Sequence, residues 1–227
     1  LRVNGEGAGY VAEVAADLGV PLVHLSTDYV FDGTLDRPYR EGDATGPVGA
    51  YGRSKLAGEQ KIAAIHANHA ILRTAWVYSP FGANFVKTML RLGEMRAEVG
   101  VVDDQIGNPT YALDIADAVL AIAARMRADS DAALRGVFHL TGAGEATWAD
   151  FAEWVFAEAE RHGRTHVLVK RIETTDYPTP ARRPTNSRLD NSKLRNVYGL
   201  ALPPWRQSAS DCVARLCATD LLKGNSL

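Results

Sequence analysis

Tyr51 and Lys55 stand four residues apart in the stretch YGRSK. On a helix that spacing stacks both side chains on one face, one turn apart. A phenol has a reference pKa of about 10, too high to exchange a proton readily at neutral pH. A neighbouring ammonium favours the phenolate and makes the tyrosine a usable acid or base. With 8 tyrosines in 227 residues, about 0.2 such Tyr–Lys pairs arise by chance, so the spacing alone does not define a site. Upstream lies Ser26-Thr27-Asp28, where an apolar run ends. A hydroxyl at that position can hydrogen-bond a carbonyl oxygen, or the alkoxide formed from it, while Tyr51 supplies the proton. The same three residue types commonly cap turns, so each half of the constellation is ambiguous. The two halves together are far more specific.

The elements that must hold these residues follow from the pattern. An Ala-rich helix is expected over Gly9–Leu18, closed by Gly19, then a short apolar strand over Pro21–Ser26. After Asp32-Gly33 and a polar, Pro/Gly-punctuated loop to Gly49, a helix is expected from Tyr51 to His69. A buried strand follows over Ala70–Tyr78, rich in β-branched and aromatic residues. Helices are expected over Asn84–Arg96, Asp114–Met126, Thr147–His162 and Gln207–Leu222. Strands are expected over Val99–Val102 and Gly136–Leu140, and an extended segment over Val167–Ile172. Strands alternating with helices predict an α/β fold with a largely parallel sheet, whose ligands lie beyond the carboxyl ends of the strands.

The stretches HLSTDYVFDG, YGRSKLAGE, ILRTAWVYSPFGANFVKTML, VVDDQIGNPT, FHLTGAGEATW and YPTPARRPTNSRLDNSKL resemble the extended short-chain dehydrogenase/reductases, and within them the dTDP-4-dehydrorhamnose reductases. The resemblance covers nearly the whole chain. It implies a Rossmann-type doubly wound parallel sheet with a smaller substrate-binding domain. It also implies reduction of the C4 ketone of dTDP-4-dehydro-6-deoxy-L-mannose to dTDP-L-rhamnose by NADPH or NADH. Thr27, Tyr51 and Lys55 are then the catalytic residues: Tyr51 protonates the C4 oxygen, Lys55 holds the nicotinamide ribose and tunes Tyr51, and Thr27 bonds the reacting oxygen. Tyr51, Lys55 and Leu25 fall to the cofactor; Thr27, Asp28, Trp76 and Asn84 fall to the sugar. The related dehydratases carry an Asp-Glu pair after the threonine. Here Asp28 is followed by Tyr29, which fits a reductase, since ketone reduction needs one hydride donor and one proton donor. Two other readings use the same resemblance: a sugar epimerase with this triad, or a non-catalytic partner subunit such as the regulatory subunit of methionine adenosyltransferase.

Members of that family begin with a strand and a Gly-rich turn that receives the cofactor pyrophosphate at a helix N-terminus. Gly5-Glu6-Gly7-Ala8-Gly9 lacks that spacing and reads as a loop entering a helix. By comparison with the family, the chain is expected to lack about the first quarter, with its N-terminal strands. Residues 1–80 and 107–140 are expected to form the rest of the dinucleotide-binding domain, and 81–106 and 141–227 the nucleotide-sugar domain.

The remaining candidates carry less. His66 and His69 share a helix end without a third ligand nearby, so no metal site is expected. Asp103 and Asp104 are adjacent in an extended loop and point apart, which suits a loop shaping the sugar site better than paired carboxylates. Arg182, Arg183 and Arg188 suit a diphosphate or an interdomain salt bridge equally. The stripe Trp148, Phe151, Trp154, Val155 reads as core. With 25 basic and 27 acidic residues and no run of like charge, a nucleic-acid surface is not expected. No apolar run reaches the ~18 residues of a membrane span. Cys212 and Cys217, five apart on a helix, point about 140° from each other, so no bridge is expected, and a reducing, cytoplasmic setting follows. A homodimer is compatible with all of this.

Overall fold

The computed structural model describes residues 2–177 and 184–218. In chain order its principal elements are α1 (Ala8–Asp17), β1 (Leu22–Thr27), α2 (Ala50–Ile65), β2 (His69–Thr74), β3 (Val77–Tyr78), α3 (Phe85–Gly93), β4 (Glu98–Val102), β5 (Ile106–Gly107), β6 (Thr110–Tyr111), α4 (Ala112–Ala128), β7 (Gly136–His139), β8 (Ala146–Thr147), α5 (Trp148–Arg161), β9 (Leu168–Ile172), α6 (Ser192–Tyr198) and α7 (Trp205–Ala218). The expected end of the last helix, beyond Ala218, lies outside the described residues, as do Arg182 and Arg183. Among the described residues no helix is long and apolar enough to cross a membrane.

The chain divides into two units. The first takes Leu1–Ala75, Ile115–Thr141 and Ala181–Leu202. Its sheet is wholly parallel, in the order β1-β2-β7, with helices on both faces. Ala8 and Ala12 of α1 and Ile62 of α2 bury Ile71 on one face. Ile115, Ala118, Ile122 and Met126 of α4, with Leu194 of α6, bury Ala70, Leu72 and Phe138 on the other. This alternation is the period-2 geometry of a strand covered on both sides, and each fully buried Leu or Ile contributes roughly 1.5–3 kcal/mol. The expected α/β, Rossmann-type layer is what forms. α1 closes as expected, with Gly19 at φ 65° in the left-handed conformation that favours glycine.

Several boundaries move. The helix expected to reach His69 ends at Ile65, and His66 and His69 are buried rather than on an exposed helix end. The His66 Nε2 pairs with the Val20 carbonyl oxygen at 2.9 Å, and the His69 Nδ1 with that of His66 at 2.5 Å. Both rings are therefore tied into the backbone where the helix turns into β2. The strand expected over Ala70–Tyr78 is broken into β2 and β3, because Trp76 adopts a positive φ of 48°. Gly5–Gly9 is not a loop: π-helical backbone over Arg2–Gly7 runs straight into α1. It is pinned to α2 by the Asn4 side chain, which donates to the Ser54 hydroxyl at 3.0 Å.

The largest correction concerns residues 184–202, expected in the second domain. They pack in the first unit, because Leu194 enters its core, Lys193 Nζ donates to the Val137 carbonyl at 2.7 Å, and Asn191 exchanges hydrogen bonds with Thr141. None of these long-range contacts has a periodic signature in the sequence.

The second unit takes Trp76–Asp114, Gly142–Pro180 and Pro203–Leu227. Its small sheets pair β4 with β9 and β3 with β6 in parallel, and β5 with β8 antiparallel. Its core is built on α5 and α7: Phe151, Val155, Trp205, Cys212 and Leu216 are buried together, with Trp148 and Trp154 packed against them, so the aromatic stripe is core. A reciprocal capping box between Thr147 and Asp150 starts α5. Asp103 and Asp104 do point apart. The first accepts from the Thr147 hydroxyl and Arg171, the second from Thr174. Both cysteines are free.

Candidate active site

Five of the residues singled out from the sequence come together in the first unit. β1 ends on Thr27, which is buried, and the backbone turns at once into a short 3-10 segment over Asp28–Val30. The Tyr29 N–H donates to the Thr27 hydroxyl oxygen at 3.2 Å, and that hydroxyl donates to Asp28 Oδ1 at 3.0 Å. The turn-capping role and the site role of Thr27 therefore coexist. The first turn of α2 is pressed against this segment. A Cβ on Gly52 would stand 2.0 Å from the Tyr29 carbonyl oxygen, so only glycine allows the approach that sets Tyr51 beside Thr27. The Tyr51 ring meets Tyr29 edge-on, with centroids 5.8 Å apart, and remains 53% exposed.

One turn further along α2, Lys55 Nζ donates to the Leu25 carbonyl at 2.7 Å and lies 3.3 Å from His24 Nε2. Leu25 is thus tied to the site through its backbone, while its side chain is exposed. An ammonium carries three donors; the Leu25 oxygen and His24 nitrogen take two, leaving one for an incoming hydroxyl.

The electrostatics depart from the expectation that Lys55 lowers the Tyr51 pKa. Burial raises the phenol above its usual value, the Thr27 hydroxyl opposes this, and the Asp28 charge adds to it. The Lys55 ammonium is directed to Leu25 and His24; burial lowers its own pKa, against the pull of Glu59. Asp28 is pushed up to about 6 by burial, against hydrogen bonds from Ser187 and Thr27. A carboxyl whose pKa is higher folded than unfolded stabilises the fold when protonated. That contribution is full below the unfolded pKa and is lost as pH rises through about 6. Asp28→Asn is therefore expected to stabilise the chain at pH values above 6 and to flatten its stability between there and about pH 4, by on the order of 2–3 kcal/mol. Urea unfolding across that range measures it; an unchanged pH slope in the variant refutes it.

Deeper along the same face of α2, Glu59 receives Arg73 of β2: Nε donates at 3.0 and 3.2 Å to the two carboxylate oxygens and Nη2 at 2.6 Å, with both side chains buried. The guanidinium also lies over the Phe31 ring, 5.0 Å from its centroid. Neither residue, nor His24, stands out as a site candidate from the sequence. The usable signals were the i+4 step from Lys55 to Glu59 and the polar residues His24 and Arg73 inside apolar strands.

Trp76 and Asn84 belong to the second unit. Trp76 stacks on Trp148 at 3.5 Å between ring centroids, and a Cβ on Gly107 would run into its indole at 2.5 Å. Asn84 caps α3: its Oδ1 accepts from the Lys87 N–H and its Nδ2 donates to the Ser79 carbonyl at 2.7 Å, so both ends of the amide are engaged in holding the helix. Arg188 is likewise employed locally, donating to Asn186 Oδ1 at 2.9 Å and to the Asp36 carbonyl at 2.6 Å.

A parallel sheet wound on both faces, with a hydroxyl at a strand's carboxyl end facing a Tyr–Lys helix, is a Rossmann-type oxidoreductase layer. Comparison with known proteins agrees. Residues 1–218 match the RmlD substrate binding domain family. The dTDP-4-dehydrorhamnose reductase of Sinorhizobium fredii is 54% identical over 208 residues, which are 92% of this chain and 70% of the relative. A structure of dTDP-4-dehydrorhamnose reductase from Bacillus anthracis in complex with NADP superposes with a TM-score of 0.85 at 35% identity, covering 93% of this chain and 72% of that one. The Clostridium acetobutylicum reductase does so with 0.86 at 37%, covering 94% and 72%. The chain belongs to the RmlD family, and spans about seven-tenths of these relatives' length.

Proposed function

We propose that the chain reduces the C4 ketone of dTDP-4-dehydro-6-deoxy-L-mannose, giving dTDP-L-rhamnose, with NADPH as reductant. The observation that carries this is the Thr27–Tyr51–Lys55 geometry, supported by reductase relatives and by the NADP complex of a similar structure. The fit to the nicotinamide end of the cofactor rests on Lys55, whose ammonium is fixed by Leu25 and His24 with one donor to spare, beside the half-exposed ring of Tyr51. NADPH supplies the hydride.

The protein's residues do the rest. Lys55 would hold the ribose through its remaining donor. Tyr51, whose phenol is held protonated by burial and by Asp28, gives its proton to the ketone oxygen. The Thr27 hydroxyl, turning its one proton away from Asp28 Oδ1, donates it to that oxygen as charge develops there. One hydride on carbon and one proton on oxygen convert the ketone to the secondary alcohol. Asp28 is assigned to contact the deoxyhexose. Asn84 is given no part, its amide being engaged at the start of α3. Incubating the chain with NADPH and the ketosugar, following NADPH absorbance and identifying the sugar nucleotide by mass, tests the reading. NADPH consumption without dTDP-L-rhamnose removes it.

The oligomeric state belongs to the same proposal. β1 ends the described sheet on one side, and Tyr10, Val11, Val14, Leu18, Val20 and Leu25 on or near α1 and β1 are exposed. An open strand edge beside apolar side chains pairs with further chain. The 227-residue chain is expected to self-associate; light scattering showing a monomer at micromolar concentrations refutes this.

A further inference from the structure

We propose that His24 is a positioning residue for Lys55: its imidazole accepts a hydrogen bond from the ammonium and, with the Leu25 carbonyl, holds Nζ where the ribose must find it. The inference deepens the reductase reading and rests on its assignment of Lys55.

The geometry is specific. The parallel register places His24 opposite Ile71, so its side chain leaves β1 on the face that α2 covers, together with Ser26 and Arg73. Nε2 lies 3.3 Å from Lys55 Nζ, and the Leu25 oxygen lies 2.7 Å from the same nitrogen. An ammonium only donates, so Nε2 must present its lone pair and the ring proton must sit on Nδ1. A lysine otherwise hangs on a flexible four-carbon stem; two acceptors from consecutive residues of one rigid strand remove that freedom. Of the titratable and charged groups on the packed elements, those on the His24 face are Lys55 and Glu59 of α2 and, on the same face of β2, Arg73 and His69. Arg73 is tied to Glu59, and His69 to the His66 carbonyl. Burial and Lys55 keep the imidazole neutral down to about pH 4, against Glu59. Protonation would replace the acceptor by a second cation facing Lys55.

The test has two arms. In the chain carrying ¹⁵N-histidine, NMR is expected to find His24 neutral, with its proton on Nδ1, down to about pH 4. In parallel, the Lys55 amine is acylated with sulfosuccinimidyl acetate and followed by peptide mass. His24→Leu is expected to speed that acylation about tenfold or more, the worth of one hydrogen bond to a charged group, and to raise the KM for NADPH while leaving that for the sugar nucleotide unchanged. His24→Gln, which restores an acceptor, is expected to return both toward the parent values. A proton on Nε2 overturns the proposal, and so does equal Lys55 acylation in the parent and His24→Leu. If His24→Leu does not fold, the tautomer in the parent chain and the acylation rate of His24→Gln still decide. If tautomer and acylation behave as expected but no protein reduces the ketosugar, the positioning role stands and the reductase reading falls.

Discussion

Tyr51→Phe is expected to lower the turnover of the ketosugar by roughly 10²–10⁴-fold, the usual worth of a general acid. Folding and the KM values should be nearly unchanged. The ring is half exposed and meets Tyr29 through its edge, so phenylalanine keeps the packing and removes only the proton. The direction of the phenol's pKa shift adds a second signature. Burial and the Asp28 carboxylate both hold the proton on, so the acid form persists through neutral pH and the reduction should decline only in the alkaline range. The reverse oxidation, which needs the phenolate, should rise over the same range. Steady-state assays in both directions against pH measure this. A loss smaller than about fivefold would show that another group delivers the proton.

The largest effect on stability is expected at Glu59. Glu59→Leu leaves the Arg73 guanidinium buried without its carboxylate, at a cost of about 3–5 kcal/mol. The hydrogen bonds lost are the three at 2.6–3.2 Å. Glu59→Leu combined with Arg73→Met should recover most of that loss, because a buried ion pair and a well-packed apolar pair differ little in net stability. Urea midpoints of the two single variants and the double variant give the coupling. A double variant as unstable as the sum of the singles would mean that the pair is not coupled and that the geometry around Phe31 carries the stability.

The first unit was readable where a single local rule governed. The α1 cap at Gly19, a strand over Pro21–Ser26 that β1 overruns by one residue, and the Tyr51–Lys55 face all follow from spacing and residue type. What sequence patterns missed is long-range. Residues 184–202 join the first unit through Leu194, Lys193 and Asn191, contacts with partners fifty or more residues away and with no period. The break at Trp76 was equally invisible, since ILRTAWVY reads as one continuous strand and nothing in it signals the positive φ of Trp76. In the site, the Tyr–Lys spacing placed both side chains on one face of α2, but the Tyr51 phenol is raised by burial rather than lowered by Lys55. A motif states which side chains share a helix face; it does not state which acceptor on the neighbouring strand captures the ammonium.

All four tryptophans of the chain, Trp76, Trp148, Trp154 and Trp205, fall in the second unit. Indole emission is therefore a local gauge. A denaturation curve recorded by tryptophan fluorescence follows the second unit alone, while far-ultraviolet circular dichroism follows both, so non-coincident curves would measure how independently the units melt. Within the second unit, the Trp76 and Trp148 rings lie 3.5 Å apart and within 7° of parallel. Two indoles that close couple their electronic transitions, so the pair carries a near-ultraviolet circular dichroism signal of its own, and a ligand that parts the rings announces itself without any label.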